Sequence, residues 1–203
     1  QFVFFSSEFS SSPAAISMLS SGIVTGTTEV EGRNVACILS FDVKKGEDLI
    51  IRTGISAVDV AGAKGNLAAE MTGWKLASVA ASASQAWQKR LEVITAESAD
   101  SSLLRVFYTS LYHTMIAPNL YSDSDGRYRG TDSEIHPGGG FTNYTVFSLW
   151  DTYRAAHPLF TVTVPEMVPD FVNTMLAIRE QQGKLPVWSL AGNETNCMIG
   201  YHA

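Results

Sequence analysis

The sequence predicts a multidomain α+β protein, and three observations carry that prediction. Residues 1 to about 65 hold short runs enriched in β-branched and aromatic residues, separated by Gly/Glu/Lys turns. From Asn66 the composition changes to Ala, Leu, Gln, Lys and Glu, the residues that lose least on entering a helix. Around residue 170 an apolar stripe at helical spacing closes on a glycine. With 203 residues, 45% apolar and 17% charged, the chain has room for a sizeable core in one or two domains.

In chain order, strands are predicted at 2–5, 35–43 and 49–58, with Lys45-Gly46-Glu47 as a turn between the last two. The apolar start from Gln1 to Phe5 belongs to the first strand. It lacks a basic leader, a small-residue cleavage site and the roughly 18 apolar residues that span a bilayer. These strands suit an antiparallel sheet, but they are too few to close a sandwich unaided. Trp74, Ala77, Ala81, Trp87, Leu91 and Ile94 are spaced for one or two helices connecting two domains. The helix predicted over 102–116 is apolar on most sides, the pattern of a helix surrounded by others. Residues 119–145 are rich in Gly, Asp and Ser, and Asp125-Gly126 suits a hairpin turn between Tyr121 and Tyr128. A short helix over 149–156 should end at His157-Pro158, because proline disfavours helical backbone in the residue before it. A longer helix follows, with Pro165 at a first position, Met167, Val168, Phe171, Val172, Met175 and Leu176 as its stripe, and Gly183 as its cap. Pro186 to Thr195 is expected to be a loop entering a helix at Asn193-Glu194-Thr195.

The net charge of −6 and the pI of 5.1 arise from scattered acids without a Lys/Arg block, which argues against nucleic acid or an anionic membrane as partner. Cys37 and Cys197 form neither a disulfide framework nor a metal-knuckle spacing. The chain has no initiator Met, opens inside a strand and stops at Tyr201-His202-Ala203 where an apolar segment begins, so an excised piece of a longer protein is expected.

Candidate chemistry concentrates between Phe147 and His202, where tryptophans stand beside carboxylates, amides and an arginine. An indole covers the apolar face of a pyranose, while Asp, Glu, Asn and Arg answer its hydroxyls. Trp150, Asp151, Arg154 and His157 share one broad face at helical spacing. Asp151 with Arg154 is either a structural ion pair or a clamp on sugar hydroxyls. Glu194 either caps a helix or faces a substrate, with Asp151 and Trp188 as neighbours across a cleft. Asp123, Asp125 and Asp132 miss the EF-hand spacing and belong to a turn. Gly138-Gly139-Gly140 lacks the lysine of a phosphate loop. His113 and His202 stand alone, which favours core or supporting roles.

Three segments, FYTSLYHTMIAPNLYSDSDGRYRG, YTVFSLWDTYRAAHPL and GKLPVWSLAGNETNCMIGYH, resemble the calcium-dependent exo-acting α-mannosidases of glycoside hydrolase family 92. The resemblance runs from roughly Asn66 to Ala203. It implies the end of an N-terminal β-sandwich (1–65), a helical connector (66–100) and the first helices of an incomplete (α/α)6 toroid (101–203). It also implies inverting hydrolysis of terminal α-mannosyl linkages, mannose-containing glycans as partners, Ca2+ as cofactor and a secreted or periplasmic location. Inversion separates its two carboxyls by about 6.5–9.5 Å to admit a water. By the same resemblance Trp150 and Asp151 line the terminal mannose subsite, and Arg154, Trp188 and Glu194 extend it. The family's acid and base fall in later motifs, so no catalytic residue and no calcium ligand is assigned here, and the piece alone is expected to be inactive. Two other functions fit the same residues: a non-catalytic carbohydrate-binding protein, and an (α/α)6 glycosidase acting on another hexoside.

Overall fold

The computed structural model describes residues 2–203, so Gln1 of the first predicted strand lies outside the described residues. The first half contains β1 (Phe4–Phe9), β2 (Ala15–Ser20), β3 (Ile23–Val24), β4 (Val35–Ser40), β5 (Ile51–Ser56), α1 (Val60–Glu70), α2 (Leu76–Leu91) and α3 (Ser101–Thr114). The second contains β6 (Asn119–Leu120), β7 (Tyr128–Arg129), β8 (Ile135–His136), β9 (Tyr144–Thr145), β10 (Phe147–Ser148), α4 (Leu149–Thr152), α5 (Ala156–Thr163), α6 (Val168–Gln182), β11 (Trp188–Leu190) and β12 (Asn193–Glu194). The result is a mixed α and β structure in which the strands form several small sheets. It divides into two compact units, Ser7–Thr53 and Gln1–Ser6 with Gly54–Ala203.

In the smaller unit the strand order is β3-β2-β4. Ser21 and Gly22 both take positive φ, 50° and 81°, the conformation a two-residue hairpin loop needs, and Leu19 pairs with Val24 across it. Sequence reasoning omitted β2 and β3, because AISMLS has one β-branched residue and weak strand preference. Six residue pairs to β4, from Ala15↔Ser40 to Ser20↔Val35, hold β2 instead. Near the edge of this unit Arg52 binds Glu8 at 2.6 Å.

In the larger unit α1 begins at Val60, ahead of the composition change at Asn66, because Asp59 caps it by accepting from the Gly62 N–H at 2.6 Å. Glycine is required at two close approaches here. A Cβ on Gly54 would sit 2.2 Å from the Ala63 carbonyl oxygen, and one on Gly62 would sit 2.1 Å from Asp123 Oδ2. Asp123 is buried and accepts from Ser56 Oγ at 2.6 Å and from Asn66 Nδ2 at 2.8 Å, so α1 is tied to the loop before β7. The Asp125-Gly126 turn forms, closed by the Asp123 N–H donating to the Arg127 carbonyl at 2.8 Å, but the strands beyond it pair elsewhere: β6 with β9 and β7 with β8.

The core is Phe147, Leu149, Phe160, Val164 and Phe171, with Met167, Val168 and Met175 packed against it. Phe171 meets Tyr144, Phe147 and Phe160 edge to face at 4.8, 6.0 and 5.7 Å. Fully buried Thr174 donates to the Asp170 carbonyl at 2.8 Å and accepts from the Tyr144 N–H at 3.2 Å, fastening α6 to β9.

Several expectations for this unit need correction. The 149–156 helix is split: α4 stops at Thr152, and α5 starts at Ala156 with Pro158 inside its first turn. Proline costs nothing there, since first-turn N–H groups have no helical partner. The long helix starts at Val168 with Pro169 beside it rather than at Pro165, and it ends as predicted on left-handed Gly183, φ 84°. Its buried face is Phe171, Thr174 and Ile178, while Val172 and Leu176 are exposed. Helix α3 is not surrounded: only Leu111 is buried, and Leu103 and Val106 are 59% and 63% exposed.

Candidate functional site

The segment entering the site turns at Val146, a β-branched residue at φ 65° between β9 and β10. Strand alternation in β10 then sends Phe147 into the core, 1% exposed, and Ser148 to the opposite face. Strand β10 runs straight into α4, so buried Leu149 anchors the turn that carries Trp150 and Asp151.

Strand β11 pairs antiparallel with β10, placing Trp188 opposite Ser148 and Ser189 opposite Phe147. Trp188 Nε1 donates to Ser148 Oγ at 2.6 Å, and Ser148 Oγ donates to Asp151 Oδ2 at 2.5 Å. Indole N–H only donates and an ionised carboxylate only accepts, so the polarity of this chain of bonds is fixed. The structure thus brings together Trp188 and Asp151, two of the predicted site residues, through a serine between them. They meet where the central strand β11 pairs with β10 and the chain turns into α4.

Glu194 is not at the start of a helix. Ala191 and Gly192, at φ 48° and 72°, close a hairpin whose strands β11 and β12 pair Ser189↔Glu194 and Leu190↔Asn193. The Glu194 carboxylate accepts from the N–H groups of Val187 at 2.8 Å, Trp188 at 3.0 Å and Asn196 at 2.9 Å. Thr195 reinforces the same strand, its hydroxyl donating to the Trp188 carbonyl at 2.8 Å.

The Asp151–Arg154 ion pair, one of the two readings of these residues, does not form. With α4 ending at Thr152 the three-residue helical spacing is lost, and exposed Arg154 lies 5.9 Å from the Tyr153 ring centre instead. Tyr153 stacks on His202 at 4.0 Å and 5°. Trp150 is half-buried, and its Nε1 is buried with no hydrogen-bond partner among the described residues. His157 packs between the Phe147 and Phe160 rings, and burial pushes its imidazole pKa down. A cavity of about 370 Å3 lies on this side of the core, lined by Leu149, Tyr153, His157, Met175 and His202. A second, of about 210 Å3, is lined by Trp87, Met115, Phe160 and Phe171, and neither cavity is lined by Trp150, Asp151, Arg154, Trp188 or Glu194.

Ser148 is the residue that sequence reasoning missed. Ser148-Leu-Trp-Asp151 has the Ser-x-x-Asp pattern of a helix capping box, a signal present in the sequence. In the structure the two side chains bond each other, and Ser148 makes no side-chain cap bond to the helix.

Among the described residues, no three His, Cys, Asp or Glu side chains converge where they would hold a metal ion. The nearest acidic cluster in sequence is dispersed: Asp123 binds Ser56 and Asn66, Asp125 binds Arg127, and Asp132 binds His136. These residues alone therefore do not fit a calcium cage. Among the described residues no helix is long and apolar enough to cross a membrane.

The sequence profile of the glycosyl hydrolase family 92 catalytic domain matches residues 62–203. Among solved structures, the chain is similar to a family GH92 α-mannosidase from Bacteroides thetaiotaomicron, with 40% identity and a TM-score of 0.87 over 98% of this chain and 28% of that one. The same α-mannosidase in complex with mannoimidazole gives the same identity and TM-score over 27% of its chain. A family GH92 inverting mannosidase from B. thetaiotaomicron VPI-5482 is 27% identical, with a TM-score of 0.82 over 98% of this chain and 27% of its own. The chain therefore spans little more than a quarter of the length of these relatives. No curated protein matches it.

Proposed function

Because the chain belongs to glycosyl hydrolase family 92, we propose that it is part of an exo-acting glycoside hydrolase that releases terminal α-linked mannose from glycans. The observation that carries the proposal is the Asp151 carboxylate, held from one side by Ser148 and standing next to Trp150 and near Trp188. Its Oδ2 is committed to Ser148, while Oδ1, on an exposed residue, makes no hydrogen bond to the described residues. A carboxylate oxygen of that kind, with Trp150 next to it in sequence and the N–H edge of Trp188 bound to the same serine, suits a sugar hydroxyl. Support comes from the 40% identical α-mannosidase whose structure is known with mannoimidazole bound.

In this reading Trp150 and Asp151 line the terminal mannose subsite. Trp188 walls it, Glu194 fixes the Trp188 backbone through its bonds to main-chain N–H groups, and Arg154 reaches it from the turn after α4. Hydrolysis proceeds with inversion, in line with the inverting mannosidase to which the chain is similar. The acid and base lie outside this chain, so the 203-residue piece is inactive alone. Residues 1–65 close a β-sandwich, 66–100 connect, and 101–203 begin an (α/α)6 toroid. Ca2+ enters as a cofactor of the longer protein, held by groups other than a carboxylate cluster of this chain. A secreted or periplasmic location completes the proposal.

The test is binding and stereochemistry in the full-length protein. Asp151→Ala is expected to weaken mannoimidazole binding by about 2 kcal/mol, the cost of losing a charged acceptor. Proton NMR of early turnover should show β-mannose before mutarotation. Unchanged affinity in the variant removes Asp151 from the subsite, and α-mannose as first product contradicts inversion.

A further inference from the structure

We infer that Ser148 is a positioning residue of the sugar subsite, orienting the Asp151 carboxylate under the direction of the Trp188 indole; this rests on the functional reading above. Hydrogen-bond polarity fixes the direction of this chain of bonds. Ser148 Oγ has one proton to give and lone pairs to receive. Trp188 Nε1, at 2.6 Å, is able only to donate to it. The serine proton is then free to go only where an acceptor stands, and Asp151 Oδ2 stands 2.5 Å away. A lone serine hydroxyl rotates among acceptors; this one is set by a partner that permits a single direction.

The indole is itself held. Trp188 faces Ser148 in the β10–β11 register, and its main-chain N–H is bound by Glu194, whose carboxylate also takes the main-chain N–H of Val187 and of Asn196. Positional information therefore runs from the β11–β12 hairpin, through Trp188 and Ser148, to one oxygen of Asp151. The other oxygen makes no hydrogen bond to the described residues. A second observation supports a role beyond local folding. Ser148 and Asp151 occupy the two positions of a capping box at the start of α4, yet Ser148 does not cap the helix. Two side chains able to satisfy helix N–H groups are committed to each other instead, the departure from local rules expected where a site is being built.

The experiment compares Ser148→Ala, Ser148→Thr, Trp188→Phe and the Ser148→Ala/Trp188→Phe double variant in the full-length protein. Readouts are mannoimidazole affinity, KM and kcat on an α-mannobiose, and the Trp188 indole N–H resonance, assigned by its loss in Trp188→Phe. Ser148→Ala should weaken mannoimidazole about 10- to 100-fold, mainly through KM. Ser148→Thr keeps the hydroxyl on a β-branched residue suited to a strand, and should bind within about threefold of wild type. Adding Ser148→Ala to Trp188→Phe should cost less than Ser148→Ala costs in the wild type, because the first substitution has already removed the donor that sets the serine. The indole resonance should move in Ser148→Ala and return in Ser148→Thr.

Wild-type affinity in Ser148→Ala, failure of threonine to rescue, or losses that multiply in the double variant would each overturn the inference. Should Ser148→Ala fail to fold, Trp188→Phe removes the donor while keeping an aromatic ring at the wall of the subsite, and should weaken mannoimidazole at least as much as predicted for Ser148→Ala. A wild-type protein that does not bind mannoimidazole would overturn the functional reading instead. The indole resonance still decides the relay in that case: one that ignores Ser148→Ala refutes it.

Discussion

Glu194 commits its carboxylate to the main chain, accepting from the N–H groups of Val187, Trp188 and Asn196. Bonds from neutral donors to a charged acceptor are the stronger class, and two of these three donors are part-buried, where leaving an N–H without a partner is costly. Glu194→Gln keeps the shape but turns an amide N–H₂ toward backbone N–H groups. Hydrogen exchange over 187–196 should accelerate, with local stability falling by about 1–3 kcal/mol; unchanged protection would show that the strands hold without the carboxylate. His157 makes a second prediction at this scale. Burial between Phe147 and Phe160 lowers its pKa below the ordinary value of 6.5. The unfolded chain then binds its proton before the folded one, so stability is lost as pH falls below about 6.5. Asp59 also has a lowered pKa, first through its bond to Arg127, but it acts below its ordinary value of 3.8, in a separate window. Chemical denaturation between pH 7 and pH 5 should therefore show a slope that His157→Phe reduces. An identical slope in the variant would assign it to other groups.

The β11–β12 hairpin is the element on which the site depends, and its turn separates two kinds of glycine. Gly192 combines φ 72° with close neighbours: a Cβ added there would sit only 2.7 Å from the Tyr121 hydroxyl and 3.0 Å from the Arg129 carbonyl oxygen. Gly22, in the β2–β3 turn, has φ 81° with nothing within 4 Å. Gly22→Ala should cost only the left-handed penalty of about 1–2 kcal/mol. Gly192→Ala should cost more and also weaken sugar binding, since it displaces the strand that carries Trp188. Equal losses at the two positions in a thermal melt would contradict the packing argument. This hairpin was also the element least legible in the sequence. Gly183, Asp125-Gly126, and the helices at α3 and α6 announce themselves through turn chemistry and apolar spacing. Leu190-Ala191-Gly192-Asn193 lacks a strong hairpin dipeptide, and the polar run after it resembles a helix start. For the same reason Trp150 and Asp151 were legible as a pair, whereas Ser148 emerged only once pairing of β10 with β11 set Trp188 beside it. No local pattern encodes a contact between residues forty positions apart.

At the scale of the whole molecule, the helices keep apolar residues in the open. Leu76 of α2 is 76% exposed, Val106 of α3 63% and Val162 of α5 74%. Exposed apolar surface of this kind marks interaction faces. The polypeptide of residues 1–203 expressed alone should therefore bind a hydrophobic dye and associate. A monodisperse product that melts cooperatively without dye binding would contradict the proposal that these faces belong against further helices of a toroid. The central claim, that the chain helps form a calcium-dependent mannosidase, is tested most directly by free mannose released from an α-mannobiose by the full-length protein. The assay is run untreated, after EDTA, and after Ca2+ is restored. The account predicts release that EDTA abolishes and Ca2+ recovers. A folded protein that releases no mannose under any of the three conditions would contradict it.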